Sequence, residues 1–77
     1  MAYKILGTAV TNPANSTIGS ATAVACTLAG TVVITLEDGA GNAEGTISLP
    51  IGVHKVNKKS TQTLTFTGSA TSVAHSG

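Results

Sequence analysis

Charged and aromatic side chains are scarce in this sequence of 77 residues. Only 9% of the residues are charged, against about 25% in typical soluble domains, and arginine is absent. The aromatic residues are Tyr3 and Phe66, and the formal net charge is +1. Nucleic-acid-binding proteins usually combine a strongly basic face with aromatic side chains that stack on bases. We therefore expect no nucleic-acid partner.

Long apolar runs and paired cysteines are also missing. The longest run of large aliphatic residues is Val32 to Ile34, whereas a membrane-spanning helix needs about 20 apolar residues. The opening residues contain no apolar stretch of signal-peptide length, so we expect synthesis in the cytoplasm and use without secretion or membrane insertion. The single cysteine, Cys26, allows no internal disulfide. Its phase with Val24 and Leu28 predicts a small buried side chain rather than a catalytic thiol.

The sequence does contain a repeated alternation of apolar and hydroxyl residues, at residues 31–37, 46–49 and 61–67. In the third stretch, Leu64 and Phe66 alternate with threonines, which is the pattern of a half-buried β-strand. Thr and Ser make up 20 of the 77 residues and favour strands over helix interiors. The sequence therefore predicts an all-β protein, a small antiparallel β-sandwich or barrel of six to seven short strands.

Turn signals divide the chain into the predicted strands. Residues 22–28 and 31–37 are separated by Ala29-Gly30, which predicts that these two strands are antiparallel neighbours. The glycine-rich loop at residues 38–44 predicts a second hairpin that continues into residues 45–49. The remaining predicted segments are strands at residues 53–57 and 61–67, a short edge segment at 70–74 and a frayed tail at 75–77.

The first 20 residues allow two interpretations. Residues 3–11 have the composition of an extended segment, with Gly7 as a bulge or a close backbone approach. Residues 12–20 are rich in turn formers and include Pro13, which cannot donate to a sheet. These residues form either an extended N-terminal arm joined by an elbow to a compact β domain of residues 21–77, or an ordinary first strand.

The aliphatic core is small for an independent domain. Seventeen Val, Ile and Leu residues and one Phe must offset the ordering of the chain, which costs roughly 1.5 kcal/mol per residue. Apolar burial contributes about 25 cal/mol per Å². For so short a chain, the net free energy from burial and chain ordering is usually close to zero. We therefore expect oligomerisation or docking onto a partner to bury further surface.

No constellation of residues predicts catalysis, a metal or a cofactor. The glycine-rich loop at residues 38–45 departs from the dinucleotide-binding spacing and from the EF-hand spacing. His54 and His75 are too few for a structural zinc site, and the alternation around His54 indicates a surface side chain. We expect the protein not to be an enzyme.

Three of the four lysines lie within one run of six residues. Lysines commonly protect an exposed strand edge, and such a run also offers an electrostatic contact to an acidic partner surface. The predicted partner-binding residues combine these lysines with the N-terminal segment: Tyr3, Lys4, Ile5, Leu6, Lys55, Lys58 and Lys59.

The order of these motifs resembles that of small virion proteins of tailed bacteriophages. The chain opens with Met-Ala-Tyr-Lys-Ile-Leu-Gly, a start that many of those proteins share. The segment Gly45-Thr-Ile-Ser-Leu-Pro-Ile-Gly52 then precedes the lysine-containing strand. Where the family carries a lysine and a Thr-Asp-Thr-like triplet, this chain has Lys58 or Lys59 and then Thr61-Gln62-Thr63. Gln62 departs from the acidic form of the triplet.

This resemblance implies a non-enzymatic component of a phage particle, a capsid decoration or cement protein located on the virion. Its partners would be the major capsid protein and copies of itself, arranged as a homo-oligomer or a symmetric array. The alternative is a small tail, neck or fibre component that contacts a host surface glycan or protein. A third interpretation, from the strand pattern alone, is a bacterial β-module that associates with itself through its edges.

Overall fold

The computed structural model describes residues 4–76, which form eight strands in two antiparallel sheets and contain no helix. The predicted small all-β antiparallel fold is confirmed, with eight strands where six or seven were expected. In chain order the strands are β1 Lys4–Ile5, β2 Val10–Thr11, β3 Ala23–Leu28, β4 Val32–Glu37, β5 Ala43–Leu49, β6 Gly52–Asn57, β7 Thr63–Thr67 and β8 Ala70–Ser76.

The larger sheet has the order β1-β8-β3-β6, and β2 also pairs with β8. Ile5 lies opposite His75 and Val10 lies opposite Ser72, so β1 and β2 follow one another along the same edge of β8. Together they form one edge strand that is interrupted at residues 6–9. The division of the chain at residue 20 stays a prediction.

The smaller sheet has the order β5-β4-β7, with Ile34 of β4 between Ile47 of β5 and Phe66 of β7. The predicted hairpin of β4 and β5 is confirmed. Its glycine-rich loop is closed by Asp38, whose Oδ1 accepts hydrogen bonds from the backbone N–H groups of Ala40 at 2.8 Å and Asn42 at 3.1 Å. The loop is therefore an Asx-type turn, in which a side chain replaces a backbone acceptor.

Two predictions of strand pairing are wrong. β3 pairs with β6 and β8, and β4 pairs with β5 and β7, so the connection at Ala29-Gly30 passes from one sheet to the other. β8 is an interior strand of the larger sheet rather than an edge, and it continues to Ser76 instead of fraying. His75, predicted to lie in a frayed tail, is only 4% exposed. The tail prediction for Gly77 falls outside the described residues.

The core lies between the two sheets and consists mostly of small and medium-sized side chains. Cys26 is fully buried, as its phase with Val24 and Leu28 predicted. Phe66 is 6% exposed and belongs to the same core. The buried apolar cluster comprises Ile18, Ala21, Val24, Cys26, Leu28, Val32, Ile34, Leu64, Phe66, Ala70 and Ala74.

Residues 13–16 cover the outer edge of β7. Leu64 and Ser16 exchange backbone hydrogen bonds of 2.8 and 3.2 Å, and the Phe66 N–H donates to the Pro13 carbonyl oxygen at 2.9 Å. The edge of the smaller sheet at β7 is therefore protected by the chain itself. At the opposite edge β5 pairs with β4 alone, and β6 pairs with β3 alone, within the described part of the chain.

Candidate protein-interaction site

A groove of about 250 Å³ lies on the side of the sandwich where β5 and β6 form the edges of the two sheets. Aliphatic side chains of both sheets dominate its lining, which consists of Ile34, Leu36, Gly45, Thr46, Ile47, Val56, Asn57 and Leu64. Each wall also carries a row of backbone N–H and C=O groups that no neighbouring strand takes up among the described residues. The groove thus offers apolar contact and main-chain hydrogen bonds together.

One large aliphatic residue that lines the groove is exposed to solvent. Ile47 lies opposite the buried Ile34 on the inward face of its sheet, yet it is 53% exposed because no strand of the larger sheet covers it. Away from the groove, Ile51 in the connection between β5 and β6 is 68% exposed, and Val53, opposite Thr27 on the outer face of the larger sheet, is 58% exposed. The alternation in the sequence predicted the side to which Ile47 points, but pattern alone does not reveal whether another layer covers that side.

A second exposed aliphatic pair lies at the other edge of the larger sheet. Ile5 is 71% exposed and Leu6 is 56% exposed, and the preceding Lys4 is exposed as well. The Leu6 N–H donates to the Ala74 carbonyl oxygen at 2.9 Å, which holds this segment against β8. The structure therefore brings together three of the predicted partner-binding residues on one edge, and Tyr3 lies outside the described residues.

The predicted lysine cluster divides into surface and interior members. Lys55 and Lys59 are exposed, and Lys55 lies opposite Ala25 on the outer face of the larger sheet. Lys58 is 8% exposed, and its Nζ donates to the carbonyl oxygens of Ala21 at 2.7 Å and Lys59 at 3.1 Å. Burial lowers the pKa of the Lys58 ammonium. Its contacts hold the start of β3 against the end of β6, a role that the sequence did not indicate.

Two exposed carboxylates flank the start of β5. The pKa of Asp38 is lowered, first by the hydrogen bond from the Asn42 side chain and then by backbone N–H groups of the loop. The Glu44 Oε1 accepts a hydrogen bond of 2.7 Å from the Gln62 Nε2. Because Gly45 is the first groove-lining residue of β5, Glu44 lies at this end of the β5 wall.

The third acid, Glu37, is bound within the molecule. The Thr65 hydroxyl lies 3.0 Å from both oxygens of the Glu37 carboxylate, and the Thr63 hydroxyl lies 3.1 Å from Oε1. These contacts follow from the pairing of β4 with β7 in a register that places Glu37 opposite Thr63. They connect β4 to β7 on the outer face of the smaller sheet.

Cys26 has two polar neighbours across the strands, His54 on β6 and Ser72 on β8. Burial raises the pKa of the Cys26 thiol, and the neighbouring Ser72 hydroxyl opposes part of this effect. His54, predicted at the surface, is half-buried, and its Nε2 lies 2.9 Å from the Pro50 carbonyl oxygen, so this nitrogen donates. A raised pKa keeps the thiol protonated, whereas nucleophilic catalysis uses the thiolate. The arrangement accounts for Cys26 as a packing residue.

Other possible sites are less developed. A second hollow, at the ends of β2, β3 and β8, is lined by Thr11, Asn12, Thr27, Ala29, Ser69, Ala70 and Thr71, with no charged or aromatic side chain. Within residues 4–76, His, Cys, Asp and Glu form no group of three or more that could hold a metal ion. The same residues include no helix with the length and hydropathy to span a membrane.

Comparison of the chain with known protein families, curated proteins and solved structures finds no match.

Proposed function

We propose that the protein is a non-enzymatic structural component of a phage particle that decorates the outer capsid surface through protein–protein contacts. The observation that carries this proposal is the groove between β5 and β6, with the exposed Ile47 and with two sheet edges that no further strand covers in the described part of the chain. Unpaired edges accept strands from other chains, and clustered exposed aliphatic residues are typical of interaction surfaces.

The modest burial achieved by the chain alone supports the same proposal. Its accessible surface is 4278 Å², whereas an unfolded chain of 7.5 kDa exposes roughly 10,900 Å². Folding thus buries about 60% of the surface, which is the range of marginally stable domains. Docking on a capsid would cover further apolar surface and add to the stability of each copy.

The alternative role in a tail or fibre has less support. Glycan-binding surfaces usually present an aromatic face surrounded by polar groups. Phe66 is the aromatic residue that the structure describes, and it is buried in the core. A contact built on aliphatic side chains and strand edges suits a protein partner better than a glycan.

Quantitative mass spectrometry of gradient-purified particles from the source tests the proposal. We expect a copy number that is a simple fraction of that of the major shell subunit. A handful of copies per particle would contradict decoration and favour the neck, tail or fibre, and absence from the particle would overturn a role on the virion.

Binding of the purified protein to particles that lack it tests the surface itself. Ile47→Asp places a charge in the groove and should weaken particle binding by at least about tenfold. Val33→Asp is the matched control, because Val33 is 40% exposed on the outer face of the smaller sheet. Equal binding by the two variants would exclude the groove side as the capsid contact.

A further inference from the structure

We infer that the groove between β5 and β6 receives the β1 edge of a second copy of this chain, so that copies join head to tail. This inference rests on the proposed function, since it names a second copy as one partner within the decorating array. Lys4, Ile5 and Leu6 are the inserted residues, and Ile47 and Val56 are the principal residues that receive them.

Strand edges at the two sites allow pairing between copies. The groove walls β5 and β6 pair with β4 and β3 on their other sides. β1 is the edge strand of the larger sheet: it pairs with β8 through one edge, and no strand takes up its other edge among the described residues. The β1 edge of one copy can therefore extend a sheet of the next copy by backbone hydrogen bonds.

The apolar surfaces of the two sites complement each other. Ile5 and Leu6 are 71% and 56% exposed at one side of the molecule, and Ile47 is 53% exposed at the groove. Burying an exposed aliphatic side chain contributes about 25 cal/mol per Å² of area removed from water. A head-to-tail contact covers both exposed sites at once, whereas a symmetric contact between two grooves leaves Ile5 and Leu6 in water.

The charges determine which wall the inserted segment follows. Lys4 precedes Ile5, and the β5 wall begins beside Glu44, with Asp38 across the same loop. Complementary charge thus favours β5 as the pairing strand, with Lys4 near the Glu44 end of the groove.

The symmetry of this contact makes it testable. Each copy carries one inserted segment and one groove, so the interface is heterologous and extends into a ring or an open chain. A variant with a defective segment still has an intact groove, and a variant with a defective groove still has an intact segment. Mixing two such variants should therefore restore one interface per pair.

Sedimentation velocity of the full chain over a concentration series is the experiment. The wild-type protein should form species larger than a dimer as its concentration rises. Leu6→Asp and Ile47→Asp should each be at least about tenfold weaker in self-association. Their equimolar mixture should form a one-to-one dimer and nothing larger. Val33→Asp, on the outer face of the smaller sheet, should associate like the wild type.

A charge exchange tests the direction of insertion. Lys4→Glu and Glu44→Lys should each weaken self-association at low salt, and the double variant that carries both changes should recover it. Far-UV circular dichroism and thermal melting verify folding, with Leu6→Ser and Ile47→Ser as replacements for any aspartate variant that fails to fold. Recovery in the double variant supports Lys4 beside Glu44; no recovery overturns that placement.

Other outcomes overturn the inference as a whole. If the wild-type protein stays monomeric at millimolar concentration, the groove does not bind a second copy and must instead receive a strand of a different partner. Unchanged association of both aspartate variants, or no dimer in their mixture, excludes the head-to-tail contact. None of these results changes the copy number on the particle. The proposed function is therefore tested separately from this inference.

Discussion

Ile18 combines a buried side chain with a backbone conformation that β-branched residues rarely adopt. It is 1% exposed and its φ is +53°. Such a left-handed conformation costs about 1–2 kcal/mol, and burial of an isoleucine side chain contributes about 1.5–3 kcal/mol. Its N–H also donates to the Ser16 Oγ at 3.1 Å, which holds the turn. Packing thus offsets the backbone strain at this residue.

This balance predicts an unusual order of stabilities. Ile18→Ala loses the packing and keeps the strain, so it should lower the free energy of unfolding by about 2–5 kcal/mol. Ile18→Gly should be less destabilising than Ile18→Ala by about 1 kcal/mol, because glycine adopts positive φ without strain. At Leu28, inside β3, the order should reverse, with glycine worse than alanine. Urea unfolding of the four variants measures both differences, and the same order at both positions would contradict the argument.

Cys26 should make stability depend on alkaline pH. The pKa of its thiol is raised above the ordinary value of 9.0 in the folded state, so the native protein holds the proton after the unfolded chain has lost it. Stability contributed by Cys26 is therefore complete below pH 9.0 and falls as pH rises from there towards the native pKa. Ser72 and all titratable groups except the Cys26 thiol are common to the wild type and Cys26→Ser.

The comparison of those two proteins isolates the thiol. The difference in unfolding free energy between the wild type and Cys26→Ser should be constant at neutral pH and should shrink above pH 9.0. Guanidinium unfolding at a series of pH values measures it. A difference that stays constant, or grows, in the alkaline range would show that the buried thiol does not titrate as its environment requires.

At the scale of elements, the β4–β5 loop depends on one glycine more than on another. A Cβ at Gly39 would lie 2.5 Å from the Thr61 carbonyl oxygen, whereas a Cβ at Gly41 meets nothing within 4 Å. Both residues have positive φ, +90° and +95°. Gly41→Ala should cost about 1–2 kcal/mol from backbone strain alone, and Gly39→Ala should cost clearly more because the backbone of the β6–β7 connection must move. Thermal unfolding compares the two, and equal losses would disprove the close approach.

The sequence predicts those elements whose evidence is local. The alternation at residues 31–37 and 61–67 indicates β4 and β7, and the loop after residue 37 indicates the β4–β5 hairpin. Which distant strands pair with each other is not indicated by any local pattern in the sequence. The short connection at Ala29-Gly30 is equally compatible with a hairpin and with a passage between sheets, and packing of β3 between β6 and β8 decides the outcome.

The candidate site shows the same limit. Lys4, Ile5 and Leu6 were predicted to contact a partner from their position at the start of the chain, and the structure places them on an exposed edge. The interior position of Lys58 could not be predicted, because its acceptor on Ala21 is 37 residues away in the sequence. The groove was also missed, since it exists only where two sheets diverge.

For the molecule as a whole, low charge is the property that bears most on contacts between copies. Seven charged side chains and a net charge of +1 provide little repulsion between copies near neutral pH. Most outward-facing residues of both sheets are short, such as Thr27, Thr46 and Thr71, and lose little side-chain entropy on contact. Many weak contacts repeated by symmetry can then hold a stable array.

The interior position of β8 has a consequence for synthesis. β1, β2 and β3 are all paired with a strand that begins at residue 70, so none of them obtains this partner until the ribosome has released that part of the chain. Pairings between residues so distant in sequence are typical of domains that fold in milliseconds to seconds. During that interval the aliphatic residues of β3 remain open to other nascent copies. Slow translation across residues 60–75 should therefore increase misassembly in the cell, and chaperones that hold unpaired strands should reduce it.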